Sequence, residues 1–251
     1  MNTVHLTPSL KVQTSYPFED EEDFWFWEEG MFGVHSIDVI MTVALDQDTP
    51  ITNLSKAQKQ QVRAAKRKGE PSVDLHIGDI QMYNIETSGG VAWQIAEYYS
   101  ASVAFAIDPL MAGMDDEDWP ISDALAQRLA LDEEFCGDVW YLEYVRLDPA
   151  WRGRGWGRWA MATAIWQLVD SGDPVSALPA PLEFPGRPNS NPPTKKWKGF
   201  PHAQTALAAN LRRIGFRNFI DGYMLLDTDS PAALEKLYRW KDADRISPRS
   251  A

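Results

Sequence analysis

Short apolar runs with β-branched residues predict strands in the first half of the chain. Ser36–Leu45 (SIDVIMTVAL) is short, apolar and β-branched, which is typical of a buried strand. Ser72–Glu86 begins with alternating apolar and polar positions, so it also predicts a strand, and Gly78 within it predicts a break or a bulge. Residues 1–35 have no clear pattern and predict no element.

Helical patterns lie between and after these strands. Ser55 is a suitable N-cap for a helix over Lys56–Lys68, and Gly69 ends it. This helix carries six basic residues, which indicate a solvated face or, alternatively, an anion-binding surface. Ile121–Leu131 follows Asp and Pro signals and predicts a second helix. Val91–Ile107 is ambiguous, although it is long and apolar enough for a helix.

The second half of the chain has clearer patterns. Val139–Leu147 (VWYLEYVRL) is rich in β-forming residues and predicts a strand that stops at Asp148-Pro149. Gly155–Leu168 has a helical pattern. Val175–Phe184 predicts another strand, which its prolines confine to an edge or splayed position. Three more elements are predicted: a helix over His202–Ile214 ended by Gly215, a strand over Phe216–Leu226, and a helix from Ser230-Pro231 to about Ala243.

The composition is ordinary for a soluble globular protein. Apolar residues make up 44% of the 251 residues and charged residues 24%, and no apolar run reaches the roughly 18 residues of a membrane span. The first residues, MNTVHLTPSLKVQ, lack a basic segment followed by an apolar core, so we expect no secretory signal and no membrane partner. Cys136 is the only cysteine, which suits a reducing, cytoplasmic location.

The charge of the chain indicates which kinds of ligand or macromolecule it can bind. A net charge of −12 argues against broad binding to nucleic acids, which requires an excess of Lys and Arg. Phe18–Glu29 (FEDEEDFWFWEE) consists of carboxylates and aromatics only. It predicts either an acidic surface segment anchored by aromatics or a wall that attracts a cationic amine. Trp25, Phe26 and Trp27 within it equally fit a homodimer surface.

A glycine-rich loop, Arg152–Gly157 (RGRGWG), joins the predicted strand to the predicted helix. A helix N-terminus offers unpaired N–H groups and the positive end of a dipole, and glycines let a ligand approach the backbone. Arg152 and Arg154 add charged donors, so the loop predicts a phosphate or pyrophosphate site. The P-loop pattern is excluded by its spacing, and the dinucleotide pattern fails because residue 158 is Arg. The alternative is a turn that only links the two elements.

This loop resembles the (Arg/Gln)-x-x-Gly-x-(Gly/Ala) motif that follows the fourth strand in the GNAT N-acetyltransferase superfamily. The preceding Leu147–Trp151 is similar to the family's Val-x-Pro-x-(Tyr/Phe) lead-in. Downstream, Gln204–Phe216 resembles a family helix, although only the closing Gly215-Phe216 is identical to the pattern. Leu178–Phe184 also resembles a strand of poorly characterised GNAT-like proteins.

The resemblance implies an α/β (α+β) fold, with a mixed, mainly antiparallel sheet, splayed central strands and flanking helices. It implies a single GNAT-like domain over residues 1–251. This domain would have an enlarged, divergent N-terminal half (1–135), an acyl-CoA-binding core (138–227) and a C-terminal helix (230–243).

The resemblance also implies a co-substrate, acetyl-CoA or another acyl-CoA. The loop N–H groups would hold its pyrophosphate, and the backbone of the preceding strand would pair with the pantetheine arm. Gln204 stands where the family has Asn and would keep an amide hydrogen bond. No metal is implied, and no His or Cys motif has metal-ligand spacing. The residues assigned to the cofactor are Val145, Leu147, Arg152, Gly153, Arg154, Gly155, Trp156, Gly157 and Gln204.

Acyl transfer to an amine requires a base for the amine proton and a donor for the tetrahedral oxyanion. Side chains alternate along a strand, so we expect Tyr141 and Glu143 on the same face as Val145 and Leu147. Glu143 is then the candidate general base or, alternatively, an ion-pair partner of Arg146. Tyr141 either donates a proton or only packs.

The later family helix usually carries a Tyr that often acts as the general acid, and Leu211 occupies that position here. The thiolate proton would then come from Tyr223 or from water. The sequence therefore predicts an acyl-CoA-dependent N-acyltransferase, with acetyl as the expected acyl group. Its acceptor would be an amine on a small molecule, a peptide or a protein. Leu211 and the Pro-rich Leu178–Pro193 region support an alternative, a CoA-binding or protein-interaction module with little turnover.

Overall fold

The computed structural model describes residues 6–15, 32–45, 54–86, 109–110, 121–130, 137–180 and 200–241. Within these ranges the chain forms an α+β fold with a seven-stranded mixed sheet and five α-helices. The strands are β1 (Leu6–Ser15), β2 (Phe32–Ala44), β3 (Ser72–Glu86), β4 (Asp138–Leu147), β5 (Val175–Ala177), β6 (Arg217–Asn218) and β7 (Met224–Leu226). The helices are α1 (Lys56–Lys68), α2 (Asp123–Leu129), α3 (Trp156–Leu168), α4 (Phe200–Ile214) and α5 (Pro231–Lys241), and a 3-10 turn covers Pro149–Trp151.

The order of the strands across the sheet is β1-β2-β3-β4-β5-β7-β6. The first four strands are antiparallel neighbours, β4 and β5 are parallel, and β7 is antiparallel to both β5 and β6. The parallel pair requires a crossover, which α3 supplies between the end of β4 and the start of β5. The predicted mixed, mainly antiparallel sheet is therefore confirmed.

Most of the predicted elements are present with shifted ends. The predicted helix over Ile121–Leu131 is shorter, because Ser122 caps it and Ala130 ends it in the left-handed region, at φ 54°. Val91–Ile107 lies outside the described residues. The other confirmed elements are β2, β3, β4, α1, α3, α4 and α5. None of the described helices has the length and apolar character needed to cross a membrane.

Strand β1 forms one edge of the sheet and is not among the predicted elements. Leu6, Leu10 and Val12 are half-buried and alternate with exposed positions. This period-two pattern is visible in the sequence, but Pro8 interrupts it. An edge strand tolerates proline because one of its two sides needs no backbone partner.

Two predicted strands are wrong in their extent. Phe216–Leu226 is not one strand, because β6 and β7 form a hairpin with Asp221 and Gly222 at φ 50° and 88° in its turn. Val175–Phe184 contains only the three strand residues of β5, and residues 181–184 lie outside the described ranges. β5 lies inside the sheet, between β4 and β7, so of the two expected positions, edge or splayed, the edge is wrong.

The bulge predicted at Gly78 is confirmed. The register between β2 and β3 shifts between Val39 and Ile40, which leaves Ile77 as the extra residue on β3. A Cβ atom at residue 78 would collide with the carbonyl oxygen of Arg146 on β4. Only glycine permits this close approach of the two backbones.

Helix α1 begins and ends where the sequence predicts. Ser55 Oγ accepts a hydrogen bond from the N–H of Gln58 (3.2 Å), and Gln58 Oε1 accepts one from the N–H of Ser55 (3.1 Å). This reciprocal pair is a capping box, and Gly69 ends the helix at φ 71°. The basic side chains are all exposed, which agrees with a solvated face: Lys56, Lys59, Arg63, Lys66, Arg67 and Lys68.

The main core lies on one face of the sheet. Apolar side chains of β2, β3 and β4 join a cluster with α3, α4 and α5. Helix α3 is the most deeply packed of these, with seven buried residues, and it contacts α4, α5 and β4. The end of β4, the glycine loop and the start of α3 are thus all anchored in one core.

Candidate functional site

Strand β4 extends well beyond its parallel neighbour. β5 pairs with β4 only from Trp140 to Leu142, whereas β4 continues to Leu147. Among the described residues, no strand pairs with Glu143–Leu147 on the β5 side. We call this side of β4 the β4 gap.

The backbone groups of Val145 and Leu147 point toward the β4 gap. The carbonyl oxygen of Arg146 lies against Gly78 on β3. Because successive strand residues direct their N–H and C=O groups to opposite edges, Val145 and Leu147 direct theirs away from β3. The Leu147 carbonyl also accepts a hydrogen bond from Arg152 Nε (2.7 Å), so Arg152 is held at the end of the strand.

The glycine loop combines backbone conformations that favour glycine with an uncapped start of α3. Gly153 and Gly155 adopt φ 77° and 93°, in the left-handed region that favours glycine. Helix α3 then starts at Trp156, with Gly155 as an N-cap that supplies no side-chain hydrogen bond, and its first turn contains no acidic residue. The N–H groups of Trp156 and Gly157 therefore remain suited to an anionic ligand, whereas that of Arg158 donates to the carbonyl of Gly155 (3.0 Å).

The side chain of Trp156 belongs to the core and not to the loop surface. It is 5% exposed, and its ring meets those of Trp151 and Trp159 edge-on, at centroid distances of 6.4 and 6.2 Å. Only the backbone N–H of Trp156 can serve a ligand. The buried area of these three indoles fixes both ends of the loop to the core.

Arginines near the loop have no carboxylate partner among the described residues. Arg154, Arg158 and Arg213 share this property in a chain whose net charge is −12. The guanidinium of Arg158 lies 3.9 Å from the ring centre of Trp240, and its Nη1 donates to Asn210 (3.3 Å). Burial, and secondly the charge of Arg213, lower the pKa of Arg158. This end of the molecule therefore carries local positive charge.

A second bulge lies in β4, at Glu143. The register between β3 and β4 passes from Gln81 opposite Tyr144 to Met82 opposite Leu142. Glu143 therefore has no partner on β3 and is the extra residue. Nothing in the local sequence signals this bulge.

The bulge overturns the side-chain alternation expected along β4. Val145 and Leu147 pack in or against the main core. Tyr141 and Glu143 instead contact Tyr83, on the opposite face of the sheet. An inserted residue shifts every later side chain to the other face, so residues before and after the bulge no longer share one. The prediction that Tyr141 and Glu143 share a face with Val145 and Leu147 is therefore wrong. Glu143 still borders the β4 gap.

A hydrogen-bonded chain holds Glu143 in place. Gln81 Nε2 donates to the hydroxyl of Tyr83 (3.0 Å), and this hydroxyl donates to Glu143 Oε2 (2.9 Å). Burial raises the pKa of Glu143, and the hydrogen bond from Tyr83 partly offsets this increase. Arg146, the alternative partner of Glu143, forms an ion pair with Asp79 (2.8 Å). A carboxylate with a raised pKa suits the role of a general base.

Tyr141 is buried beside this chain. It is 6% exposed, and its ring is stacked against that of Tyr83, with centroids 6.2 Å apart. Burial, followed by the charges of Tyr223 and Glu143, raises the pKa of Tyr141. Tyr141 therefore keeps its proton, and the raised pKa makes its hydroxyl a weak acid. Tyr223, in the turn between β6 and β7, is near enough to interact with it electrostatically.

The two positions on α4 are not joined to this group. Leu211 is 5% exposed and is part of the main core, so it offers no proton. Gln204 is half-buried and makes no hydrogen bond with any residue in the described ranges. Three candidate features lie outside those ranges: Phe18–Glu29, Cys136 and most of Leu178–Pro193.

One cluster of ligand-type side chains is missed by sequence reasoning. Asp38, His76 and Asp79 bring ligand atoms within 4.8 Å of one another. His76 Nε2 lies 3.4 Å from Asp38 Oδ1 and 3.0 Å from Asp79 Oδ1, while the other Asp79 oxygen pairs with Arg146. The cluster spans two strands and depends on the β3 bulge, so no short spacing reveals it. His76 already contacts both carboxylates, and Asp79 is also paired with Arg146.

Comparison with protein-family models, curated proteins and solved structures finds no match.

Proposed function

We propose that this chain is an acyl-CoA-dependent N-acyltransferase of the GNAT type, with acetyl-CoA as the expected donor. The observation that carries the proposal is the course of β4. This strand continues past Leu142, where β5 ends, carries Glu143 as its next residue, and leads through the 3-10 turn into the glycine loop that starts α3. A donor-binding edge, a carboxylate and an anion-binding loop are thereby adjacent along one strand.

The order of the strands supports the same assignment. The resemblance to the GNAT superfamily implies a mixed, mainly antiparallel sheet with central strands that splay. In this chain the parallel pair β4-β5 is central, and it is the pair that stops pairing midway. A loop that only linked β4 to α3 would not require β4 to continue beyond the end of β5.

The loop and β4 suit the two ends of an acyl-CoA. The first-turn N–H groups and Arg154 would hold the pyrophosphate, aided by the absence of acidic residues in that turn. The backbone of Val145 would pair with the pantetheine arm in place of a neighbouring strand. The Leu147 carbonyl already accepts from Arg152, so one of its two lone pairs remains for the arm, and both would be free if that side chain moved onto a phosphate.

The chemistry needs few groups. Glu143 takes the proton of the acceptor amine, directly or through water, and the neutral amine attacks the thioester carbonyl. When the carbon–sulfur bond breaks, the thiolate takes a proton from Tyr223 or water. The acidic character of the chain suits a cationic acceptor on a small molecule, a peptide or a protein.

A second candidate function is a CoA-binding module with little turnover, which the core position of Leu211 favours. Calorimetry with acetyl-CoA, followed by a free-thiol assay over a panel of amines, separates the two. Binding together with thiol release that depends on the amine supports the enzyme. Tight binding without release on any amine supports the module, and absence of binding contradicts both.

A further inference from the structure

Tyr83 lies near the C-terminal end of β3, directly opposite Tyr141 on β4. It is 4% exposed, so its hydroxyl must find its partners within the protein. The hydroxyl oxygen accepts from Gln81 Nε2 at 3.0 Å and lies 2.9 Å from Glu143 Oε2. Since the Gln81 amide can only donate through this nitrogen, the tyrosine proton is directed at the carboxylate.

This arrangement leaves the two oxygens of Glu143 unequal. Oε2 is engaged by Tyr83, whereas Oε1 makes no hydrogen bond with any residue that the structure describes. A carboxylate on a bulge has no cross-strand neighbour on β3 to fix its orientation. The hydrogen bond from Tyr83 supplies this constraint.

We infer that Tyr83 is a positioning residue, which clamps Oε2 of Glu143 so that Oε1 is presented to the amine of the acceptor. This inference rests on the proposed function. Gln81 completes the chain by fixing the direction of the Tyr83 proton. The stacked ring of Tyr141 keeps the Tyr83 ring in its plane.

The same hydrogen bond affects the titration of Glu143. Among the described residues, the titratable groups around it are Tyr83 on β3 and Tyr141 and Tyr144 on its own strand. Beyond them lie Tyr223, which interacts with Tyr141, and Arg146 with Asp79, which interact with Tyr144. Tyr83 lowers the pKa that burial has raised. Removal of its hydroxyl must therefore raise the pKa of Glu143 further.

The test is Tyr83→Phe, which keeps the buried ring and removes only the hydroxyl. Tyr144→Phe is the matched control, because Tyr144 lies on the same bulge and its hydroxyl has no hydrogen bond with any residue in the described ranges. The Glu143 carboxyl is followed by 13C NMR in protein with labelled glutamate and is assigned with Glu143→Gln. We expect Tyr83→Phe to move the midpoint upward by about one pH unit. The acid limb of kcat/KM should move with it, the KM for acetyl-CoA should not change, and Tyr144→Phe should match the wild type.

The outcomes separate the inference from the proposed function. A Glu143 midpoint that is the same in Tyr83→Phe and wild type overturns the role of Tyr83, even if the enzyme is active. A shifted midpoint with an unshifted acid limb also overturns it, because Glu143 is then not the group that limits the rate. A wild-type protein that releases no thiol with any amine contradicts the proposed function itself, and the positioning role with it.

Discussion

Gln58 Nε2 donates a hydrogen bond to Asp148 Oδ2 at 3.0 Å, and this contact joins α1 to the segment that leads into the glycine loop. The same nitrogen donates to the His76 carbonyl on β3 (3.0 Å). The oxygen of Gln58 accepts from the N–H of Ser55 and, at 3.5 Å, from the indole nitrogen of Trp151. A side chain that is 3% exposed thus connects one helix, the bulged strand and the start of the loop.

The first prediction concerns this connection. Gln58→Ala removes the side-chain partner of Asp148 and Trp151 at once, so buried polar groups lose their hydrogen bonds. We expect the free energy of unfolding to fall by about 2–4 kcal/mol, measured by urea denaturation. Gln61→Ala, at an exposed position of the same helix, is the control and should change it by less than about 0.5 kcal/mol. Equal effects of the two variants would contradict a connecting role for Gln58.

The second prediction concerns the loop. Gly155→Glu places a negative charge and bulk where a phosphate would lie, so it should abolish the binding of acetyl-CoA in calorimetry. Gly155 has φ 93°, so any side chain there also strains the backbone, by roughly 1–2 kcal/mol. Gly155→Ala carries this strain without the charge and should retain measurable binding. If Gly155→Ala loses acetyl-CoA binding to the same extent as Gly155→Glu, backbone strain and not electrostatic exclusion explains the loss.

The third prediction separates the roles of Glu143 and Tyr141. Glu143→Gln should lower kcat by about 10²–10⁴-fold without weakening acetyl-CoA binding, because it removes only the base. In the wild type, kcat/KM should rise with pH as Glu143 loses its proton, and the raised pKa places this limb above the ordinary glutamate range. Tyr141→Phe should lower kcat and leave the limb in place if Tyr141 donates a proton. Full activity in Glu143→Gln would rule out Glu143 as the base.

The fourth prediction concerns Asp173, which precedes β5 and is 8% exposed. Burial raises the pKa of Asp173 to about 6, although its hydrogen bonds from Asp138 N–H and Trp140 Nε1 act to lower it. The folded state therefore binds this proton more tightly than the unfolded state, whose ordinary value is 3.8. The stabilisation is complete below pH 3.8 and is lost as the pH rises to about 6.

Asp173→Asn removes this titration. Between pH 4 and pH 7 the Tm of the variant should therefore gain about 3–8 °C relative to the wild type, as followed by differential scanning calorimetry. Asp170→Asn, at an exposed position in the same turn, removes only the smallest of the causes that raise the pKa of Asp173, so its curve should depart from the wild type far less than that of Asp173→Asn. If Tm varies with pH in the same way in Asp173→Asn and the wild type, the pKa of Asp173 is the same in the folded and unfolded states.

Several parts of the candidate site were predictable because their signals are local. The β-forming run before Pro149, the glycines at positive φ and the apolar pattern after Gly155 each act within a few residues. The capping box of α1 is equally local. In contrast, the prediction of one strand over Phe216–Leu226 is wrong, because its apolar ends flank a turn at Asp221 and Gly222.

The sequence by itself determined the order of β4, the glycine loop and α3, and with it the prediction of an anion site. It also determined that Glu143 would lie on that strand. Only the tertiary structure decided where Glu143 points, because the bulge arises from the register with β3 and not from any neighbour in sequence. Strand pairing is settled between distant segments, so it also decided that β5 ends early and that Tyr83, 60 residues before Glu143, is its hydrogen-bond partner.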